Sequence, residues 1–199
     1  MNFLEESCTF YSLSPELIES CDQFDCGHSD LNEFFLKDAE NYANQLLGKS
    51  YCFIDNNDLK SIVCAFTISN DSIKASLLPR GRKEKVTKQI PHVKSSKNYP
   101  AVLIGRLEVS TNYKNRGIGK SLMDFIKSWF IDAQNKTGCR FVVVDAYNED
   151  LPIKYYISCG FDFLFSTEEQ EKRYSNIQSN DPLKTRLMFF DLILLKNPS

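Results

Sequence analysis

The sequence predicts an α/β or α+β fold, a sheet covered by helices on both faces, and three observations carry that expectation. Strand-like segments and helical stripes follow one another in the order β-α-β-β-β-α-β-α-β-β, which interleaves helices with a sheet. Across residues 102–135 the apolar period switches from that of a strand to that of a helix at a glycine-containing turn. With 199 residues, 42% of them apolar and 25% charged, the chain suits one well-buried domain over residues 1–199 and is short for two.

Residues 9–13 alternate weakly and read as the first strand. Asp30-Leu31-Asn32-Glu33 has the form of a capping box, and Leu31, Phe34, Phe35, Ala39, Tyr42, Ala43 and Leu46 give a helical stripe that stops at Gly48. Residues 51–54 and 62–68 flank Asn56-Asn57-Asp58 as a hairpin. A long basic segment follows, broken by Pro79 and Pro91 and expected to lack regular structure. The remaining elements are a strand at 102–109, a helix at 120–135, a strand at 141–146, a helix at 151–159 and strands at 161–165 and 185–192. Residues 166–182 are polar and read as loop.

The turn between residues 109 and 121 carries the most chemistry. Leu122, Phe125, Ile126, Trp129, Phe130 and Ala133 recur at helical spacing, so the helix starts near Gly119 and its first amides point out over the turn. Those amides, the positive end of the helix dipole and the cations Lys114, Arg116 and Lys120 favour a diphosphate. Gly117 and Gly119 let backbone approach it, and Asn115, Ile118 and Ser121 complete the lining. Two nucleotide motifs are excluded. A Rossmann turn needs a third glycine where Leu122 stands, and a Walker loop needs glycine where Lys114 stands.

This strand, turn and helix resemble the acetyl-CoA turn of the GNAT acyltransferases, Arg/Gln-x-x-Gly-x-Gly/Ala, and the resemblance runs over nearly the whole chain. Tyr155-Tyr156-Ile157-Ser158-Cys159-Gly160-Phe161 looks like the family's Tyr-x-x-x-Gly-Phe signature. The resemblance implies a mixed, mostly antiparallel sheet of about seven strands, with acetyl-CoA as co-substrate and no metal. It also implies main-chain contacts from Leu107 and Val109 to the pantetheine arm. Two departures stand out. Lys114 occupies the family's first Arg/Gln position, keeping charge but losing the planar fork. The asparagine of the later strand-to-helix turn, expected to approach the cofactor, lies one residue early at Asn148. The stretch Phe24-Asp25-Cys26-Gly27, continued by Leu31-Asn32, is similar to the opening of a GNAT subgroup that includes toxins acetylating aminoacyl-tRNA, as is Gly105-Arg106-Leu107-x-Val109. A tight turn at Cys26-Gly27 followed by core residues accounts for the same pattern.

Amine acetylation needs a neutral amine, a stabilised oxyanion and a proton for the departing thiolate. By resemblance Tyr156 supplies that proton; its alternative is a core aromatic. Glu108 is a base candidate, or else one half of a structural pair with Arg106 on the same strand face. A strand amide near Val109 would meet the oxyanion. The expected acceptor is a primary amine, with direct transfer in a ternary complex. The alternatives are the aminoacyl-tRNA amino group and a CoA-binding module without turnover.

Charge is uneven. Between residues 80 and 97, Arg80, Arg82, Lys83, Lys85, Lys88, Lys94 and Lys97 face only Glu84, a local +6 in a chain of net −2, so the remainder carries −8. This is either a solvated loop or a surface for a phosphate-rich partner, the adenosine 3′-phosphate end of CoA or an RNA backbone such as that of tRNA. The seven cysteines form no Cys-x-x-Cys pair, and His28 and His92 are far apart in sequence, which argues against zinc and for reduced thiols. Acids near the start and the lack of a long apolar run predict a cytoplasmic chain with no membrane partner. The oligomeric state is open, a homodimer included.

Overall fold

The computed structural model describes residues 2–91 and 98–196. Among them, seven strands form one sheet: β1 (Cys8–Ser12), β2 (Lys49–Asp55), β3 (Asp58–Lys74), β4 (Asn98–Val109), β5 (Phe141–Tyr147), β6 (Asp162–Phe163) and β7 (Thr185–Asp191). The strand order is β1-β2-β3-β4-β5-β7-β6, and β1–β2, β2–β3, β5–β7 and β6–β7 pair antiparallel. Helices interleave with these strands, as the sequence order predicts. Contacts divide the chain into two compact units, Met1–Ser69 with Ile104–Ile126, and Asn70–Leu103 with Lys127–Ser199.

The first unit holds α1 (Phe3–Ser7) and α2 (Pro15–Ser20), both absent from the sequence reading. α2 begins where the Ser14 hydroxyl accepts from the Leu17 amide and Pro15 presets the first helical φ. The stripe after residue 28 forms α3 (Ser29–Glu33), a π-helical turn (Phe34–Asp38) and α4 (Ala39–Asn44). The expected capping box does not form. Helix starts at Ser29, the side chain of His28 at the cap position makes no capping bond to the helix, and Asp30 already lies inside the first turn. Phe24, Leu31, Phe34 and Phe35 pack with Cys52, Ile54 and Ala65 of the β2–β3 hairpin. Asn56 and Asn57 close that hairpin, with the Asp55 carboxylate accepting the Asn57 amide.

In the second unit, Ile73, Leu78 and Val86 pack with Tyr99, Phe141, Phe165 and Phe189. Two expectations are corrected here. The basic segment contains α5 (Arg80–Thr87), where Pro79 precedes the helix instead of breaking it and Arg80 bonds Glu84 one turn on. The polar stretch after residue 165 contains α8 (Glu168–Tyr174), capped by the Thr167 hydroxyl on the Gln170 amide. Glu171 of α8 is buried and accepts from Arg186 Nε at 2.8 Å and the Leu187 amide at 2.5 Å, which ties α8 to β7. Burial pushes its carboxyl up, while Arg186 and the Leu187 amide oppose that shift.

No described helix is long and apolar enough to cross a membrane. Gly48 ends the α4 connection because there is no room for anything larger. A Cβ there would stand 2.6 Å from the Tyr42 ring and 2.7 Å from the Ile68 carbonyl oxygen. Gly48→Ala should therefore lower unfolding free energy by about 1–3 kcal/mol. Gly81→Ala, on an exposed helix with no atom within 4 Å of the added carbon, should stabilise by about 1 kcal/mol. Urea denaturation of both variants measures the contrast.

Candidate active site

The turn between β4 and α6 (Ile118–Ile131) is built from two left-handed residues. Asn115 has φ 62° and Gly117 has φ 75°. A Cβ at Gly117 would meet nothing within 4 Å, so glycine is required there for its backbone angle and not for room. Left-handed backbone at Asn115 and Gly117, just before a helix start, is of the kind from which anion-binding concavities are made. The Ser121 amide is already bonded to the Gly117 carbonyl, so the helix ladder begins there and Ser121 has only its hydroxyl to offer a ligand. Ile118, Leu122, Met123 and Ile126 are buried, which anchors the helix beneath the turn.

A bracket from the Phe24–Gly27 loop holds the turn from outside. The Thr111 amide donates to the Asp25 carbonyl at 2.8 Å, and the Lys114 ammonium donates to the Cys26 carbonyl at 2.6 Å. Asn32 secures the loop itself: its Nδ2 donates to the Asp25 carboxylate and its Oδ1 accepts the Cys26 amide. Gly27, at φ 78°, donates to the same carboxylate. The Tyr113 hydroxyl donates to buried Asp55 at 3.0 Å, and the Arg116 guanidinium lies 5.3 Å over the Tyr113 ring. Lys114 thus has a structural bond at the position where the resemblance implies a phosphate ligand. The sequence singled out Cys26, Gly27, Asn32, Lys114 and Arg116 without showing that they meet, and passed over Asp55, Thr111 and Tyr113.

Leu107, Glu108 and Val109 are half-buried, and Gly105 before them is exposed with nothing within 4 Å of an added Cβ. The second half of β4 is therefore only partly covered. The expected Arg106–Glu108 pair is absent among the described residues: the Arg106 guanidinium sits 3.5 Å from the centre of the Phe34 ring and 5.5 Å from that of Tyr42. Glu108 answers instead to Lys114 and His28. Burial pushes its carboxyl above the usual range, and Lys114, His28 and the Val109 amide pull it back only in part. Burial likewise raises the Cys26 thiol, which keeps it protonated and inert.

In the second unit, α7 (Asp150–Ser158) carries Tyr155 and Tyr156. The Tyr-x-x-x-Gly-Phe pattern has a physical meaning here. Gly160, at φ 83°, donates to the Ile157 carbonyl at 2.9 Å, and the Phe161 amide donates to the Tyr156 carbonyl at 3.0 Å. These two bonds make a Schellman cap, and the accompanying apolar contact is the Phe161 ring 5.5 Å from Tyr156. Tyr155 packs against Tyr156 at 5.0 Å. Lys127, on the same face of α6 as Met123 and Phe130, is buried; its ammonium bonds the Cys159 carbonyl and lies 3.9 Å over the Phe190 ring. Sequence reading passed over Lys127. Its place in the apolar stripe was the available signal.

Asn148 is engaged within its own unit, its Nδ2 donating to Glu168 at 3.0 Å and to the Leu183 carbonyl at 2.8 Å. Of the basic segment, Arg82 donates to the Leu164 carbonyl at 3.1 Å and, with Lys85, pairs with Asp162. Arg80 is 93% exposed. His92, Lys94 and Lys97 lie outside the described residues. Among the described residues no cluster of His, Cys, Asp and Glu gathers to hold a metal.

No family model matches the sequence. Solved structures do match over nearly the full length. A tyrosine-to-phenylalanine variant of KacT aligns with TM-score 0.68 and 18% identity, covering 96% of this chain and 98% of that one. AtaT complexed with acetyl-methionyl-tRNAfMet aligns at 0.65 with 20% identity, covering 95% and 97%. An AtaT toxin variant, again tyrosine to phenylalanine, bound to the C-terminus of the antitoxin AtaR and acetyl-CoA, aligns at 0.59 with 18% identity over 96% and 97%. The TM-scores and the near-complete coverage of both chains establish that this protein has the GNAT fold.

Proposed function

We propose that the protein is an acetyl-CoA-dependent N-acetyltransferase that transfers the acetyl group directly to a primary amine. The observation that carries this reading is the turn from Lys114 to Lys120. It has left-handed backbone at Asn115 and Gly117, a helix N-terminus, and the cations Arg116 and Lys120. In this reading the diphosphate of acetyl-CoA rests on the amides between Arg116 and Lys120. Lys114 acts by bracing the turn through Cys26, and Asn148 serves as a tether to α8 and not as a cofactor ligand.

The reaction forms a C–N bond and breaks a C–S bond. The amine must lose a proton and the thiolate must gain one. Glu108 is the base in this reading because its raised affinity for protons suits the task and the β4 segment around it is partly covered. Tyr156 is the acid, with its backbone fixed by the Schellman cap and its ring packed on Phe161.

A second reading narrows the acceptor to the amino group of aminoacyl-tRNA. It is favoured by the likeness to AtaT, solved with acetyl-methionyl-tRNAfMet, and by the exposed Arg80 on α5. An antitoxin partner accompanies this reading, since AtaT is also solved with part of AtaR. Arg82 and Lys85 contribute less to such a surface, being paired with Asp162.

Gly119→Asp puts a carboxylate beside the diphosphate and should weaken acetyl-CoA binding about ten- to a hundredfold in calorimetry; equal affinity removes the turn from the cofactor site. Tyr156→Phe should lower turnover on the order of 10²-fold with acetyl-CoA affinity little changed. In the same kinetic experiment, a base is active only when deprotonated. The rate should therefore fall as pH drops through a Glu108 pKa lying above the ordinary value of about 4.3, and Glu108→Gln should abolish that acid limb. For the acceptor, binding of methionyl-tRNA should weaken steeply with salt, and reversing Arg80 and Lys83 should flatten the slope. Negligible tRNA binding in both proteins, with small amines still acetylated, selects the broader reading.

A further inference from the structure

We propose that Lys127 is a positioning residue for Tyr156, acting as the last piece of the cap that ends α7. This rests on the reading of Tyr156 as the acid. An α-helix leaves its final carbonyls without intrahelical donors. In α7 the Schellman bonds answer the carbonyls of Tyr156 and Ile157, and the Cys159 amide reaches those of Tyr155 and Tyr156. The Cys159 carbonyl is met by a side chain from another helix, the Lys127 ammonium.

The surroundings of that ammonium reach back to Tyr156. It lies 3.9 Å from the centre of the Phe190 ring and 5.3 Å from that of Phe161, and the Phe161 ring packs on Tyr156. Phe190 also limits the cap itself, since a Cβ on Gly160 would stand 3.2 Å from its ring. Lys127, Phe190, Phe161 and the end of α7 thus form one continuous contact path to the tyrosine ring. Its terminus is a charge at a helix C-terminus, where a cation is favoured. Lys127 is only 4% exposed, so a leucine or methionine would fit its place in the stripe at lower desolvation cost. The charge has a use that packing alone does not supply: it holds the residues after Tyr156 in a single arrangement.

The test needs a readout at Tyr156 that does not depend on turnover. Protein labelled with 3-fluorotyrosine gives a fluorine resonance for Tyr156, assigned through Tyr156→Phe, and one for Tyr51, which belongs to the other compact unit, as control. Lys127→Met should shift and broaden the Tyr156 line, leave Tyr51 unchanged and lower kcat about tenfold with methionyl-tRNAfMet or spermidine as acceptor, with the KM for acetyl-CoA unchanged. Lys127→Arg should restore the line and most of kcat. Phe190→Leu, which removes the ring beneath the ammonium but keeps an apolar side chain, should move the Tyr156 line in the same direction and serves if Lys127→Met does not fold. An unmoved Tyr156 line in Lys127→Met, or a moved line with unchanged kcat, overturns the proposal. A moved line together with full activity in Tyr156→Phe instead overturns Tyr156 as the acid, so the two failures are distinguishable.

Discussion

Much of the functional reading depends on one constraint: the chain must turn left-handed at residues 115 and 117 as it enters α6. Asparagine and glycine are the residues that accept this angle at low cost, and the sequence places one at each position. A short turn of this kind would not hold its shape alone. Lys114 on the Cys26 carbonyl, Thr111 on the Asp25 carbonyl and Tyr113 on Asp55 fix it from the loop and hairpin of the same unit. Preorganisation of this sort lowers the entropy lost when an anion binds. It also reassigns Lys114, whose hydrogen bond to a carbonyl makes it a brace where an arginine could have forked onto a phosphate.

The two helix ends use opposite poles of the same physics. At the start of α6 the helix end is positive, with Arg116 and Lys120 beside it in sequence. At the end of α7 the free end is negative and is closed, by glycine geometry at Gly160 and by the ammonium of Lys127. A positive end suits an anionic ligand and a closed end suits a residue that must not move. Burying an ammonium costs several kcal/mol unless it is hydrogen-bonded and held against favourable groups, and the Cys159 carbonyl with two aromatic faces provides that compensation.

Most of the architecture was legible in the sequence because strand alternation and the stripe of α6 are local patterns. The strands at 51–54, 102–109 and 141–146 emerge at nearly those positions, although β3 runs to Lys74, well past the apolar run that marked it. α8 was also written locally, in Thr167 and Gln170, but polarity hid it because its buried residue is Glu171, paired with Arg186 across the fold. α5 hid behind Pro79, which reads as a breaker yet stands just before a first helical turn. The site was legible in its residues and not in its contacts. No spacing reveals that Arg82 reaches residue 164, that Lys114 reaches residue 26, or that Arg106 lies on Phe34 rather than beside Glu108. These are tertiary choices, made between groups far apart in sequence.

In the function proposed above, the α6 turn is a diphosphate cradle for acetyl-CoA. Amide hydrogen exchange of the unaltered protein, measured residue by residue with and without saturating acetyl-CoA, tests it most directly. A bound diphosphate should slow exchange at the amides of Arg116 to Lys120 while leaving the Gln170 amide at the start of α8 unchanged. Tight binding of acetyl-CoA with no protection at those amides, or no binding at all, would contradict the account.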